Sequence, residues 1–156
     1  MLNRLQDVFA SLLSHDVHYV VIGGIAAVLH GVPRATFDLD ILIEASPPNA
    51  ERLLAAFLDA GFGTAALTTA DEILRNEITV FNDRVRIDVQ TRTPGLTFEQ
   101  AWRNRETICH EGRQFHVVSI HDLIASKKAA ARDVDKSDVE VLELAVQKLP
   151  TAPLLL

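Results

Sequence analysis

The sequence predicts an α+β fold, a small mixed β-sheet flanked by helices. Three observations carry it. Apolar residues recur at helical spacing near both ends of the chain, short apolar or alternating runs lie between, and two pairs of these runs are joined by turns short enough for hairpins. At 156 residues the chain is expected to form one domain, 1–156, large enough to bury a core. Apolar residues make up 48% and charged residues 23%, as in ordinary globular proteins. A net charge of −6 argues against a generally basic nucleic-acid binder and leaves room for a local basic patch. The single cysteine, Cys109, excludes an intramolecular disulfide, fits a reducing compartment and reads as a half-buried strand residue. No apolar run reaches about 18 residues or follows a basic leader with a cleavage site, so no membrane segment and a cytoplasmic location are expected. There is no internal repeat and no low-complexity segment.

Leu5, Val8, Phe9, Leu12 and Leu13 share one helical face, which predicts a helix over 2–14. His15 and His18 read as surface or cap residues beside a buried strand, Val17 to Ile22. Gly23-Gly24 then permits a tight turn and close backbone approach by a ligand, with a short helix from Ile25 to His30 behind it. Gly31 and Pro33 open a loop that leads to a strand at Leu39–Ile43. Ser46 with Pro47-Pro48 starts a third helix, whose core stripe is Leu53, Leu54, Phe57 and Leu58 and which Gly61 ends. Thr69 and Glu72 form a capping box. Glu77–Phe81 and Val85–Thr91 pair through Asn82-Asp83, and Glu106–His110 and Gln114–Val118 pair around Glu111-Gly112. Thr97 with Gln100, and Ser119 with Asp122, start two further helices. In the second of these Ile120, Leu123, Ile124 and Ala131 form the apolar stripe, with Lys127 in its midst. The last helix is expected to bury Val139, Leu142, Val146 and Leu149, with Asp135 and Asp138 as candidate caps. The apolar tail from Pro150 suits either a dimer contact or a loose end. His116 and His121 have no evident partner.

The chemistry lies in GGIAAVLHGVPRATFDLD, Gly23 to Asp40. On a strand, residues two apart share a face, so Asp38 and Asp40 point together while Leu39, Ile41 and Ile43 point to the core. Two carboxylates side by side repel unless a cation sits between them. Mg²⁺ takes oxygen ligands, is held by one or two carboxylates, and leaves positions for substrate phosphates. Arg34 can reach a phosphate or base edge, or pair with nearby acids. On the Val85–Thr91 strand, Asp88 shares a polar face with Arg86 and Gln90. Lys127 must leave the apolar stripe or meet an anion, because an unpaired buried charge is costly. Lys128 and Arg132 extend a basic rim.

Gly-Gly, thirteen residues and then D-L-D-I resemble the signature of the nucleotidyltransferase-fold superfamily. R-A-T-F-D-L-D, Arg34 to Asp40, resembles more closely the second motif of the small AbiEii-type bacterial nucleotidyltransferase-like proteins, several of which are toxins. I-D-V around Asp88 resembles the superfamily's third acid. K-x4-R-x2-D-x2-D, from Lys127 through Arg132 and Asp135 to Asp138, resembles the AbiEii-type C-terminal motifs. It departs at Ala131, where relatives often have glycine. The chain is also shorter than full AbiEii-type toxins, without their extra helical domain, which bears on substrate binding more than on metal binding.

The resemblance implies a nucleotidyltransferase-like fold with the site at one sheet edge. Asp38, Asp40 and Asp88 would hold Mg²⁺ (or Mn²⁺), with Lys127 as a further catalytic group. Gly23, Gly24, Arg34, Thr36, Lys127, Arg132 and Asp138 would bind the nucleotide. An acceptor hydroxyl would attack the α-phosphate of an NTP and pyrophosphate would leave. The acceptor stays open between RNA (such as a tRNA end), a protein side chain and a small molecule. A cognate antitoxin or toxin is the implied partner. The competing expectations are a nucleotide-binding regulatory or partner-binding module with little or no catalysis, and a structural domain that retains the acids.

Overall fold

The computed structural model describes residues 2–149. The tail from Pro150 lies outside them. The first predicted helix is a 3-10 turn, Leu2–Leu5, followed by α1, Gln6–Ser14. Then come β1 (Tyr19–Ile22), α2 (Gly23–Leu29), β2 (Asp38–Ile43) and α3 (Pro47–Asp59). A 3-10 turn at Gly63–Leu67, which sequence patterning left irregular, precedes α4 (Ala70–Arg75). The hairpin β3 (Ile78–Asn82) and β4 (Arg86–Gln90) follows, then α5 (Phe98–Asn104) and the hairpin β5 (Glu106–His110) and β6 (Arg113–Val117). α6 (Ile120–Ala130) and α7 (Asp133–Gln147) close the described chain.

Local chemistry starts the helices as expected. Ser46 accepts from the Asn49 amide, Thr69 from Glu72, Thr97 from Gln100 and Ser119 from Asp122. In the second hairpin both Glu111 (φ 50) and Gly112 (φ 77) are left-handed, as a two-residue turn matching strand twist requires.

The strands form one six-stranded mixed sheet in the order β3-β4-β2-β1-β6-β5. β1 runs antiparallel to β2 and parallel to β6, β2 runs parallel to β4, and the two hairpins complete the edges. Parallel pairing of β2 with β4 needs a crossover, which α3, α4 and β3 supply. Phe9 of α1 stacks on Phe115 of β6 with centroids 4.5 Å apart, and Phe57 of α3 meets Phe81 of β3 edge-on at 5.0 Å. Leu39, Ile41, Ile43, Ile87 and Val89 are buried on the sheet.

Several expectations are corrected. Leu58 is exposed on α3, whose inner face is instead filled by Ala50, Leu53, Ala56 and Phe57. Asn49 is fully buried there, because its amide bonds the His18 backbone at both N and O and also the Glu44 carbonyl, tying β1 to the end of β2. Ala131 leaves the apolar stripe: it ends α6 in the left-handed conformation (φ 55) and is exposed. Leu149 lies beyond α7 and is exposed. Cys109 is exposed, since β5 is an edge strand.

Candidate active site

Asp38 and Asp40 lie on β2, one pleat apart on the same face, and Asp40 stands in register with Asp88 on β4. The core-facing residues of both strands set this register, because a slip of one residue would turn the acids inward. The site is therefore not at a sheet edge. It crosses the inner strands β2 and β4, with β3 outside them.

Asp40 and Asp88 face a cleft of about 420 Å³. Asp40, Asp88 and Gln90 line one side. Gly23 and Gly24 line a second, and Lys127, Arg132 and Asp135 a third. α2 begins at Gly23 itself rather than at Ile25. Gly23 has φ +69, and a Cβ there would stand 2.9 Å from Cγ of Asp40. At Gly24 a Cβ would meet Thr36 Oγ1 at 2.8 Å and Arg34 Nη2 at 3.3 Å. Gly23 is thus required by its positive φ and the close approach of β2, whereas a side chain at Gly24 would press on those of Thr36 and Arg34.

Burial, and then the charges of Asp88 and Asp38, push the Asp40 carboxyl up to about 6; Arg132 and a hydrogen bond from Gln90 offset part of this. Arg86 partly neutralises the cluster. Its Nε donates to Asp88 Oδ1 at 2.9 Å and Nη2 to Oδ2 at 3.3 Å, and Nε stands 3.9 Å from Asp38.

Behind the cleft lies a chain of alternating charges. Lys127 Nζ is 2.8 Å from Asp138 and 3.3 Å from Asp135, and all three side chains are 5% exposed or less. Arg34 grips Asp138 with two hydrogen bonds, 3.0 and 2.8 Å, and Arg132 grips Asp135 likewise at 2.7 and 3.1 Å. Burial raises the two carboxyls, but the hydrogen bonds and charges of Lys127 with Arg34 or Arg132 outweigh it and leave both below the usual range. Three cations face two carboxylates, so one net positive charge remains on this wall.

Of the residues singled out from sequence, Gly23, Gly24, Arg34, Asp40, Asp88, Lys127 and Arg132 line the cleft. Thr36 sits behind Gly24, and Asp38 lies toward the rim beside Arg86. Asp138 does not line the cleft. It holds Lys127 and Arg34 from behind, inside α7 rather than as a cap. Asp135 does act at the helix start, accepting from the Arg132 amide. Lys128 turns away and pairs with Glu143. Sequence reading missed Gln90, Thr93, Pro94 and Ser126 as lining residues. Alternation with Asp88 on one strand was a usable signal for Gln90; the others reach the cleft only through tertiary packing.

Among the described residues, no group of three or more His, Cys, Asp or Glu side chains is placed to hold a metal ion. Mg²⁺ needs no such group, since it is typically held by one or two carboxylates, substrate phosphates and waters. The hard oxygens of Asp40 and Asp88, with Asp38 on the same face, suit such an ion.

The site thus joins in-register aspartates of a mixed sheet to the Gly23-Gly24 start of α2. The chain belongs to the family described as nucleotidyltransferase of unknown function (DUF6036), whose model matches residues 2–148. The fold is similar to the crystal structure of a candidate nucleotidyltransferase from Thermotoga maritima. The two share 15% identity at a TM-score of 0.52, over 95% of this chain and 93% of that one. No curated protein matches the chain. Among the described residues no helix is long and apolar enough to cross a membrane.

Proposed function

We propose that this chain is a metal-dependent nucleotidyltransferase that acts in the cytoplasm and moves an NMP from an NTP to an acceptor hydroxyl. One observation carries the reading: Asp40 and Asp88 stand in register on β2 and β4, with the Asp40 side chain against Gly23 in a cleft that Gly24 also lines. Mg²⁺ or Mn²⁺, held by Asp40 and Asp88 with Asp38, would supply the positive charge that offsets the attacking and leaving oxygens.

The chain's own residues do the rest. Gly23 and Gly24 let backbone amides approach the triphosphate. Arg132, whose side chain is 70% exposed, meets the phosphates, and Arg34 and Lys127 add charge from the wall. Asp138 and Asp135 keep those cations in place. The acceptor oxygen forms a bond to the α-phosphorus, its proton passes to one carboxylate of the Asp38, Asp40 and Asp88 set, and pyrophosphate leaves with the bonding pair of the broken P–O bond. The AbiEii-type resemblance favours RNA or a protein as acceptor and a toxin–antitoxin setting.

The test is transfer from each NTP labelled at the α-phosphate, with Mg²⁺ or Mn²⁺, onto total RNA and protein extract. Label on either, absent with Asp40→Ala, supports the enzyme and names the acceptor class. Transfer retained by Asp40→Ala would remove the mechanism.

A second reading, a nucleotide- or partner-binding module, draws on the paired state of the cations. Arg34, Lys127 and Arg132 already have carboxylate partners, and Arg86 holds Asp88. NTP binding by calorimetry without turnover under any of the above conditions would favour it.

A further inference from the structure

A second cavity lies at the other end of β1. Ile22 and Gly23 border the cleft described above, whereas Tyr19, at the start of the same four-residue strand, borders this one. The cavity has a volume of about 210 Å³. Its polar walls come from Asp16, His18 and Tyr19, from Trp102 and Arg105 at the end of α5, and from Gln114 and His116 on β6.

Arg105 is the unusual member. Its guanidinium lies over the Trp102 ring, 3.7 Å from the centroid, and its Nη1 donates to the Trp102 carbonyl at 2.6 Å. Its Nε is buried with no hydrogen-bond partner and almost no accessible surface, so a guest in the cavity meets the guanidinium through its terminal nitrogens. Among the described residues no carboxylate pairs with Arg105. A buried donor on a permanently charged group is costly to leave unmatched, and such groups mark positions where a water or ion belongs. The arginine fork matches oxyanions in particular.

The neighbours suit the same guest. His116 engages Thr107 Oγ1 through Nδ1 at 3.1 Å, which leaves Nε2 for another partner. Burial, then the charges of Arg105 and His18, hold its pKa below the usual histidine value, so it offers a neutral ring. Burial keeps the Tyr19 hydroxyl protonated, and therefore a donor. Two acids stand near His18, whose ring stacks on Trp102: the exposed carboxylate of Asp16, on the cavity's rim, lies 3.9 Å from Nε2, and that of Glu44 3.5 Å from Nδ1.

We infer that this cavity is a second binding site, for a small oxyanion of the phosphate class, held by Arg105 with His116, Gln114 and Tyr19 as neutral donors. It stands independently of nucleotidyl transfer. An anion there joins the end of α5 to the start of β1, whose far end opens into the Gly23-Gly24 turn, which is the placement of an effector site.

The experiment is a titration of the ¹⁵N-labelled chain with inorganic phosphate, following the Arg105 Nε–H and His116 ring signals. Chloride at matched ionic strength is the control. The expected result is a saturable shift with a Kd on the order of 1 mM, absent with chloride. Arg105→Gln lowers the affinity at least about tenfold. Arg105→Lys, which keeps the charge and stem against Trp102 but lacks the planar fork of the guanidinium, weakens it as well. An Arg105 signal that does not move, an equal shift with chloride, or unchanged affinity in both variants would overturn the site. Shifts confined to Arg34 and Arg132 would place phosphate in the cleft alone, overturning the second site and leaving the transfer reading intact.

Discussion

Asp40 shows what the site costs at the scale of one residue. Burial and two neighbouring carboxylates act against its charge and hold its carboxyl up at about 6. Asp40→Asn keeps the shape and removes the repulsion. It should abolish transfer while the melting temperature holds or rises; a large fall in melting temperature would show that the carboxylate is structural. Gly23 is constrained in two ways, by φ +69 and by the side chain of Asp40. Gly23→Ala should destabilise by about 1–3 kcal/mol, read from urea unfolding at unchanged m. The DLD spacing made the shared face of Asp38 and Asp40 legible in sequence, because alternation along a strand is local. That Asp38 would stand at the rim beside Arg86 was not legible, since the cleft is closed by residues of β4, α6 and the loop at Thr93-Pro94.

The α6–α7 corner gathers the site's positive charge at the scale of an element. Ala131 turns the chain there at φ 55, ψ 27, a conformation that costs a residue with a Cβ roughly 1–2 kcal/mol. Ala131→Gly should therefore raise stability by about 0.5–1 kcal/mol in denaturant unfolding, after glycine's own entropy loss is counted. The departure from glycine noticed in the motif thus has a measurable backbone consequence. Next to it, Asp138 is 2% exposed at the side chain and holds both Arg34 and Lys127. Removing one partner of a buried ion pair costs about 3–5 kcal/mol. Asp138→Ala should fall at the lower end, because Lys127 keeps Asp135. Sequence patterning showed that Lys127 needed an anion. It did not show which one, because Asp135 and Asp138 reach it only once α7 folds back along α6.

Across the whole molecule the same network shapes the response to acid. The carboxyls of Asp135 and Asp138 sit below their usual value in the folded chain. Groups depressed by folding contribute stability that is fully present above the unfolded pKa, near about 3.9, and lost as pH falls through the folded value. The stability difference between the wild-type chain and Asp138→Asn should be constant above about pH 5 and shrink below about pH 4. Unfolding midpoints measured across that range check it. A difference that grows toward acid would reverse the assignment. The sheet order also belongs to this scale. The parallel pairing of β2 with β4 brings Asp40 and Asp88 together from either side of a long crossover, and no local signal specifies that register.

The amino-acid sequence by itself determined the α+β class, nearly every strand and helix, four helix caps, the second hairpin turn and the acids that share a strand face. Each of these depends on neighbours within a few residues, through periodicity, capping or turn geometry. Only the tertiary structure decided that the site crosses two inner strands, that Arg86 shields the acids, that Lys127, Arg34 and Arg132 are held by buried carboxylates, and that Arg105 meets His18 and His116 around a second cavity. Those contacts join residues far apart in the chain, and they exist only when the sheet and the helices packed on it are complete.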